Sequence, residues 1–150
     1  MREFSAEEII KFAQRIEEES YNFYRRANET LDDSELKKLT KELSNAEVDH
    51  LNRLRKLIDE SQLTREELSQ RLSLNDEDYQ KIINMKDFPS NPTAKDILEV
   101  ALEREKNTAS TYRMFLSFTD LSDNIIDVFN YLTAQEEGHV KIIPNRLKSL

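Results

Sequence analysis

The sequence predicts an all-α fold: a four-helix bundle made of two helix pairs, joined by a long crossover that contains short helices. Three observations predict it. The 150 residues hold one glycine and three prolines, too few for the many turns of a β-rich fold. Apolar residues recur at alternating steps of three and four along four long stretches, which is the period of one helix face. Capping signals open the first two of those stretches.

Ser5-Ala-Glu-Glu8 reads as a capping box, with Ser5 accepting from the backbone and Glu8 reaching back. The helix it opens runs to about Thr30. Asp32-Asp33-Ser34 offers the next N-cap, and a second helix runs to about Ser61. Over 63–93 the long pattern breaks. Thr64-Arg-Glu-Glu67 and Asn75-Asp-Glu-Asp78 each read as the start of a short helix, and Phe88-Pro-Ser-Asn-Pro92 as a linker. A third long helix begins near Thr93 and ends around Thr119. The fourth starts near Ser122 and continues to the C-terminus, loosened at Pro144. The expected organisation is one domain over 1–150, with helix pairs at 5–61 and 93–148 around the crossover 63–93.

Composition removes several classes of function. No run of about 18 apolar residues exists to span a membrane. MREFSAEEIIKF lacks the apolar core of a signal peptide, so a cytoplasmic location is expected. There is no cysteine, hence no disulfide, thiolate metal site, iron–sulfur centre or cysteine nucleophile. The net charge is −8 with no basic stripe, so nucleic acid is not an expected partner. Scarce glycine also removes the loops that cradle phosphates and dinucleotides.

The inward faces carry the chemistry. Helix 1 presents Ile10, Ala13, Glu17, Ser20, Tyr24 and Ala27, and helix 3 presents Leu98, Ala101, Glu105, Thr108, Tyr112 and Phe115. Helix 2 presents Leu36, Leu39, Leu43, Glu47, His50, Leu54 and Leu57. Helix 4 presents Ile125, Phe129, Leu132, Glu136, His139 and Ile143. Every apolar stripe is interrupted at mid-length by a glutamate, and helices 2 and 4 add the only two histidines of the chain. The two halves also repeat. Glu17 to Glu105 is 88 residues, and Glu47 to Glu136 and His50 to His139 are both 89. Ala13 and Tyr24 match Ala101 and Tyr112 at the same offset of 88. Approximate two-fold symmetry would bring the four interruptions to one level.

A lone Glu-x-x-His on a helix is ordinarily part of a solvated face. That reading leaves Glu17 and Glu105 unexplained at matched depths on apolar stripes. Residues i and i+3 share a helix face with β-carbons about 5–6 Å apart, so one ion can bind both members of Glu47/His50 or of Glu136/His139. Carboxylate oxygen with imidazole nitrogen suits iron, manganese, cobalt or zinc better than magnesium or calcium. Four ionised carboxylates in an apolar interior repel one another and are badly desolvated, and two divalent cations cancel that charge. The neighbouring Glu18, Glu19, Glu103 and Glu137 read as solvated surface. Tyr24 and Tyr112 have two readings: core aromatics, which is the simpler, or hydrogen-bond donors to the glutamates.

With these residues in view, the chain resembles the ferritin-like di-iron carboxylate proteins, most closely their rubrerythrin-like branch without a rubredoxin domain. "AQRIEEESYNFY" (13–24) and "ALEREKNTASTY" (101–112) resemble the family's first and third helices, and "AEVDH" and "QEEGH" its second and fourth. The resemblance implies that Glu17 and His50 bind one metal and Glu105 and His139 the other, with Glu47 and Glu136 bridging. It implies two iron ions per chain, with manganese or zinc as alternatives, and a homodimer. Two departures stand out. Thr108 occupies the position of a further glutamate, and no four-cysteine iron site is present. The second makes an external electron donor necessary for turnover.

The leading expectation is an oxidoreductase that reduces hydrogen peroxide or dioxygen at a dinuclear site. The alternatives are a protein that sequesters or delivers iron or manganese without turnover, and a structural module with a degenerate site.

Overall fold

The computed structural model describes residues 2–60, 62–83, 86–118 and 120–150, with the side chains of 81–83 left out. Four long helices dominate: α1 (Ala6–Thr30), α2 (Ser34–Asp59), α5 (Ala94–Leu116) and α6 (Asp123–Lys148). Between α2 and α5 lie α3 (Arg65–Ser69), strand β2 (Arg71–Leu74) and α4 (Asp76–Ile83). Strand β1 (Arg2–Ser5) precedes α1. α1 packs along α2 and α5 along α6, and across the pairs α1 meets α5 while α2 meets α6. This is the all-α bundle of two helix pairs that the doubled pattern predicts, and it is ferritin-like, as the resemblance implies.

The caps follow the sequence signals. Ser5 Oγ accepts from the Glu8 backbone and the Glu8 carboxylate accepts from the Ser5 N–H, both at 3.1 Å. Thr64 with Glu67 and Thr93 with Asp96 form the same reciprocal box, and Asp33 and Ser122 cap α2 and α6. Each such cap contributes about 1 kcal/mol and fixes where its helix begins. The ends are less legible. α2 stops at Asp59 and α5 at Leu116; Ser61 and Thr119, the expected ends, lie outside the described residues. α6 runs through Pro144 without a break, although proline has no N–H to donate to the Val140 carbonyl. In the linker, Asn91 takes φ 52°, a left-handed conformation that asparagine tolerates.

The strands are the feature that the helical pattern conceals. β1 and β2 pair antiparallel with Arg2 opposite Leu74 and Ser5 opposite Arg71. β2 alternates exposed and buried residues, so Leu72 and Leu74 point into the core. The crossover thereby covers part of the bundle, with Leu63, Leu72 and Leu74 packed beside Ile9 and Phe115.

The core is divided in two. One apolar cluster gathers Ile10, Leu54, Phe115, Ile125 and Phe129, and the other gathers Phe23, Leu39, Leu43, Ile97 and Ile143. Burying each such side chain contributes about 1.5–3 kcal/mol. The glutamates and histidines lie on the same helices between these two apolar ends. Among the described residues, no helix is long and apolar enough to cross a membrane.

Candidate metal centre

The six expected ligands converge. One group of donor atoms comprises Glu17, Glu47, His50 and Glu136, and a second comprises Glu47, Glu105, Glu136 and His139. Within each group the atoms lie within 4.8 Å of one another. Glu47 and Glu136 belong to both. The four glutamates are buried, at 0–3 % exposure, as is His50 at 0 %; only the His139 side chain reaches 12 %.

Both imidazoles turn Nδ1 toward the carboxylates. His50 Nδ1 lies 3.0 Å from Glu136 Oε1, 3.3 Å from Glu17 Oε2 and 3.6 Å from Glu47 Oε2. His139 Nδ1 lies 3.4 Å from Glu105 Oε2 and 3.9 Å from Glu136 Oε2. The two rings stack with centroids 6.2 Å apart. Helix geometry produces this arrangement, since one turn separates each Glu-x-x-His pair and the repeat sets the two pairs face to face.

The tyrosines cross between the halves. Tyr24 of α1 donates to Glu105 Oε1 of α5 at 2.5 Å, and Tyr112 of α5 donates to Glu17 Oε1 of α1 at 2.6 Å. Both phenols are buried, so they are core aromatics and carboxylate donors at once. Each terminal glutamate thus has one oxygen held by a phenol and the other turned to a histidine. The hydroxyl pKa values are pushed well above normal, first by burial and then by the nearby carboxylates.

Without metal the electrostatics are strained. Burial, followed by repulsion from Glu17 and Glu105, raises the Glu47 carboxyl well above its ordinary range. Glu136 is raised in the same way by burial and by Glu105, Glu47 and Glu17. Burial also acts on Glu105, but close contacts with Glu136 and His139 and the His139 charge outweigh it and lower that carboxyl. His50 rises from 6.5 to about 10: burial opposes the proton, and contacts with Glu136 and Glu17 outweigh burial.

The residues fit metal ions. Among the described residues, the buried side-chain nitrogens and oxygens without a hydrogen-bond partner are Glu47 Oε1, His50 Nε2, Arg104 Nε, Glu105 Oε2, Glu136 Oε1 and His139 Nδ1. All but Arg104 Nε belong to these ligands. Buried polar atoms normally find partners, and the carboxylate oxygens and His139 Nδ1 are lone-pair donors of the type iron or manganese binds.

Two features escaped sequence reasoning. Arg104 is buried beside Glu105, donates through Nη1 to the Lys86 carbonyl at 2.5 Å and lies over the Phe23 ring. Its charge favours ionised Glu47. The repeat gives no hint of it, because the position 88 residues earlier is Ile16. Outside His50, the Tyr131 hydroxyl donates to Asp49 at 3.2 Å and Arg53 stacks on the Tyr131 ring at 3.8 Å. Only the Asp49/Arg53 spacing of four was visible as a signal. Thr108 is buried one turn after Glu105, so that position carries no carboxylate.

A family model described as Rubrerythrin matches residues 3–58. That span holds Glu17, Glu47 and His50 and stops short of Glu105, Glu136 and His139. No curated protein and no solved structure matches the chain.

Proposed function

We propose that the protein is a dinuclear carboxylate oxidoreductase that reduces hydrogen peroxide or dioxygen, a reading supported by the Rubrerythrin model that matches residues 3–58. The observation that carries the proposal is the pair of buried donor sets sharing Glu47 and Glu136. When bound, two redox metal ions, iron or manganese, supply one electron each, enough with two protons to turn one peroxide into two waters.

The chain's own residues do the rest. Glu17 and His50 hold one position and Glu105 and His139 the other, while Glu47 and Glu136 serve both. The phenols of Tyr24 and Tyr112 fix the terminal carboxylates, which keeps each lone pair aimed at the centre. The apolar clusters on either side exclude water, so charge interactions inside are strong. With no cysteine in these 150 residues, the electrons come from a donor outside them.

Elemental analysis should find two ions per chain after anaerobic iron loading. Stopped-flow oxidation should then be faster with peroxide than with dioxygen. Two tightly held ions that neither oxidant changes would leave a protein that sequesters or delivers metal.

A further inference from the structure

A cavity lined by none of the six expected ligands lies where the strands and α4 meet α1 and α2. It has a volume of about 510 Å³, within the range of small-molecule sites. Its walls are mainly apolar and include Phe4, Phe12, Leu51, Leu74, Tyr79 and Phe115. Phe4 and Tyr79 stack at 5.8 Å, which holds the β1 and α4 sides of the wall together.

The charges at this cavity select the ligand. Lys11, Arg15 and Arg55 line it, with Glu8 and Glu18. Lys11 is paired with Glu7 at 3.1 Å. The Glu8 carboxylate is held by the Ser5 N–H at 3.1 Å, with Arg71 at 4.0 Å. Among the described residues, neither Arg15 nor Arg55 makes an ion pair or a side-chain hydrogen bond; Arg15 only overlies the Phe12 ring at 5.2 Å. Two unpaired guanidinium groups against Glu18 leave one net positive charge. On a chain of net charge −8 that is an unusual place to keep it.

We propose that this cavity binds an amphipathic monocarboxylate, with an aliphatic body on the aromatic wall and the carboxylate at Arg15 and Arg55. An apolar wall stabilises the tail by about 0.8 kcal/mol per buried methylene, and arginine matches a carboxylate with two parallel hydrogen bonds. A single net charge favours a monoanion over a phosphate monoester. The cavity shares no residue with the candidate metal centre, although Glu18 and Leu51 are chain neighbours of Glu17 and His50.

Calorimetric titration of the full chain with dodecanoate, below its micellar concentration, tests the assignment. Saturable one-to-one binding is expected, with dodecanol weaker and dodecyltrimethylammonium weakest. The Arg15→Gln/Arg55→Gln variant should weaken dodecanoate at least tenfold, and Glu18→Gln should tighten it. Both alter exposed side chains, so unchanged melting temperatures serve as the folding control. Heat without saturation, equal binding of the cationic amphiphile, or wild-type affinity in the double variant would overturn the proposal. So would a dimer mass that the double variant halves, with no dodecanoate heat, since that assigns the cavity to a second copy.

Discussion

The two halves of the candidate metal centre carry matched side chains inside different wrappings. Around His50, Tyr131, Asp49 and Arg53 form a linked outer layer, and the imidazole is fully buried. At the corresponding places, 89 residues away, the His139 half has Glu42, Gly138 and Ile142. A β-carbon built on Gly138 would meet nothing within 4 Å, and His139 keeps 12 % of its side chain exposed. The difference teaches that the doubled donor pattern constrains the inner face only. Ligand types and spacing must match, whereas outer residues diverge freely and leave one half closed and the other partly open.

The largest effect should come from breaking what the halves share. Glu47→Ala or Glu136→Ala removes a group common to both donor sets, so metal content should fall well below one ion per chain. Glu17→Ala or Glu105→Ala touches one set and should leave about one ion. Elemental analysis after iron loading decides it, and a Glu47→Ala protein that still holds two ions would dissolve the distinction between shared and terminal glutamates.

The six positions were legible in the sequence because they obey helical periodicity, whereas the division into shared and terminal glutamates came from the family resemblance. Glu17 and Glu105 stand out as polar residues on apolar stripes, and the repeat gives their registry. Helix starts were legible too, since a cap is a local pattern of hydroxyl or carboxylate and backbone. The β1–β2 pairing was hidden because it joins segments about 70 residues apart, each only four residues long. Arg104 and Tyr131 were hidden for another reason: they break the repeat, and tertiary packing alone brings them to the site. The family match covers the closed half, so Glu105, Glu136 and His139 rest on the repeat and on the geometry.

Acidity should sharpen the comparison next. The metal-free protein is expected to be most stable under mildly acidic conditions. His50 has a folded pKa near 10 against 6.5 ordinarily, so its contribution is full below pH 6.5 and lost as pH rises toward 10. The raised Glu47 and Glu136 act in the same direction, with contributions full below about 4.5 and lost as pH climbs through their folded values. Glu105 acts oppositely: lowered, it contributes above about 4.5 and loses that as pH falls. At about 1.4 kcal/mol per pKa unit, the alkaline loss amounts to several kcal/mol. Bound metal should reverse the trend, because ligands must shed protons to coordinate. Melting temperatures from pH 4 to 10, with chelator and with metal, provide the check. A chelated protein as stable at pH 9 as at pH 5 would refute it.

The histidines should differ in cost. His50→Ala takes the imidazole away from the buried Glu136 and Glu17 carboxylates, a defect of roughly 3–5 kcal/mol for a buried charge pair. At His139 water reaches the edge of the site, so His139→Ala should cost about 1 kcal/mol. Urea unfolding of the metal-free variants at neutral pH measures both. Equal costs would mean that the Tyr131 layer has no energetic consequence.

The smallest effect is the most discriminating, because it should appear on the opposite side from the mutation. Tyr24 sits on the α1 side but donates to Glu105, and Tyr112 sits on the α5 side but donates to Glu17. Removing one phenolic hydroxyl leaves every metal-binding atom in place and frees one carboxylate to rotate. Loss of an outer hydrogen bond of this kind lowers metal affinity by about 10–100-fold. Tyr24→Phe should therefore weaken the ion at Glu105/His139 and spare the one at Glu17/His50, and Tyr112→Phe should do the reverse. Pairing each substitution with Glu17→Ala, which leaves only the Glu105/His139 position, makes the crossing measurable. In that background Tyr24→Phe should lower the remaining affinity, while Tyr112→Phe, whose carboxylate partner is already gone, should change it little. If instead each tyrosine weakens the position on its own helix, the phenols act through packing, and the crossed hydrogen bonds do not orient the ligands.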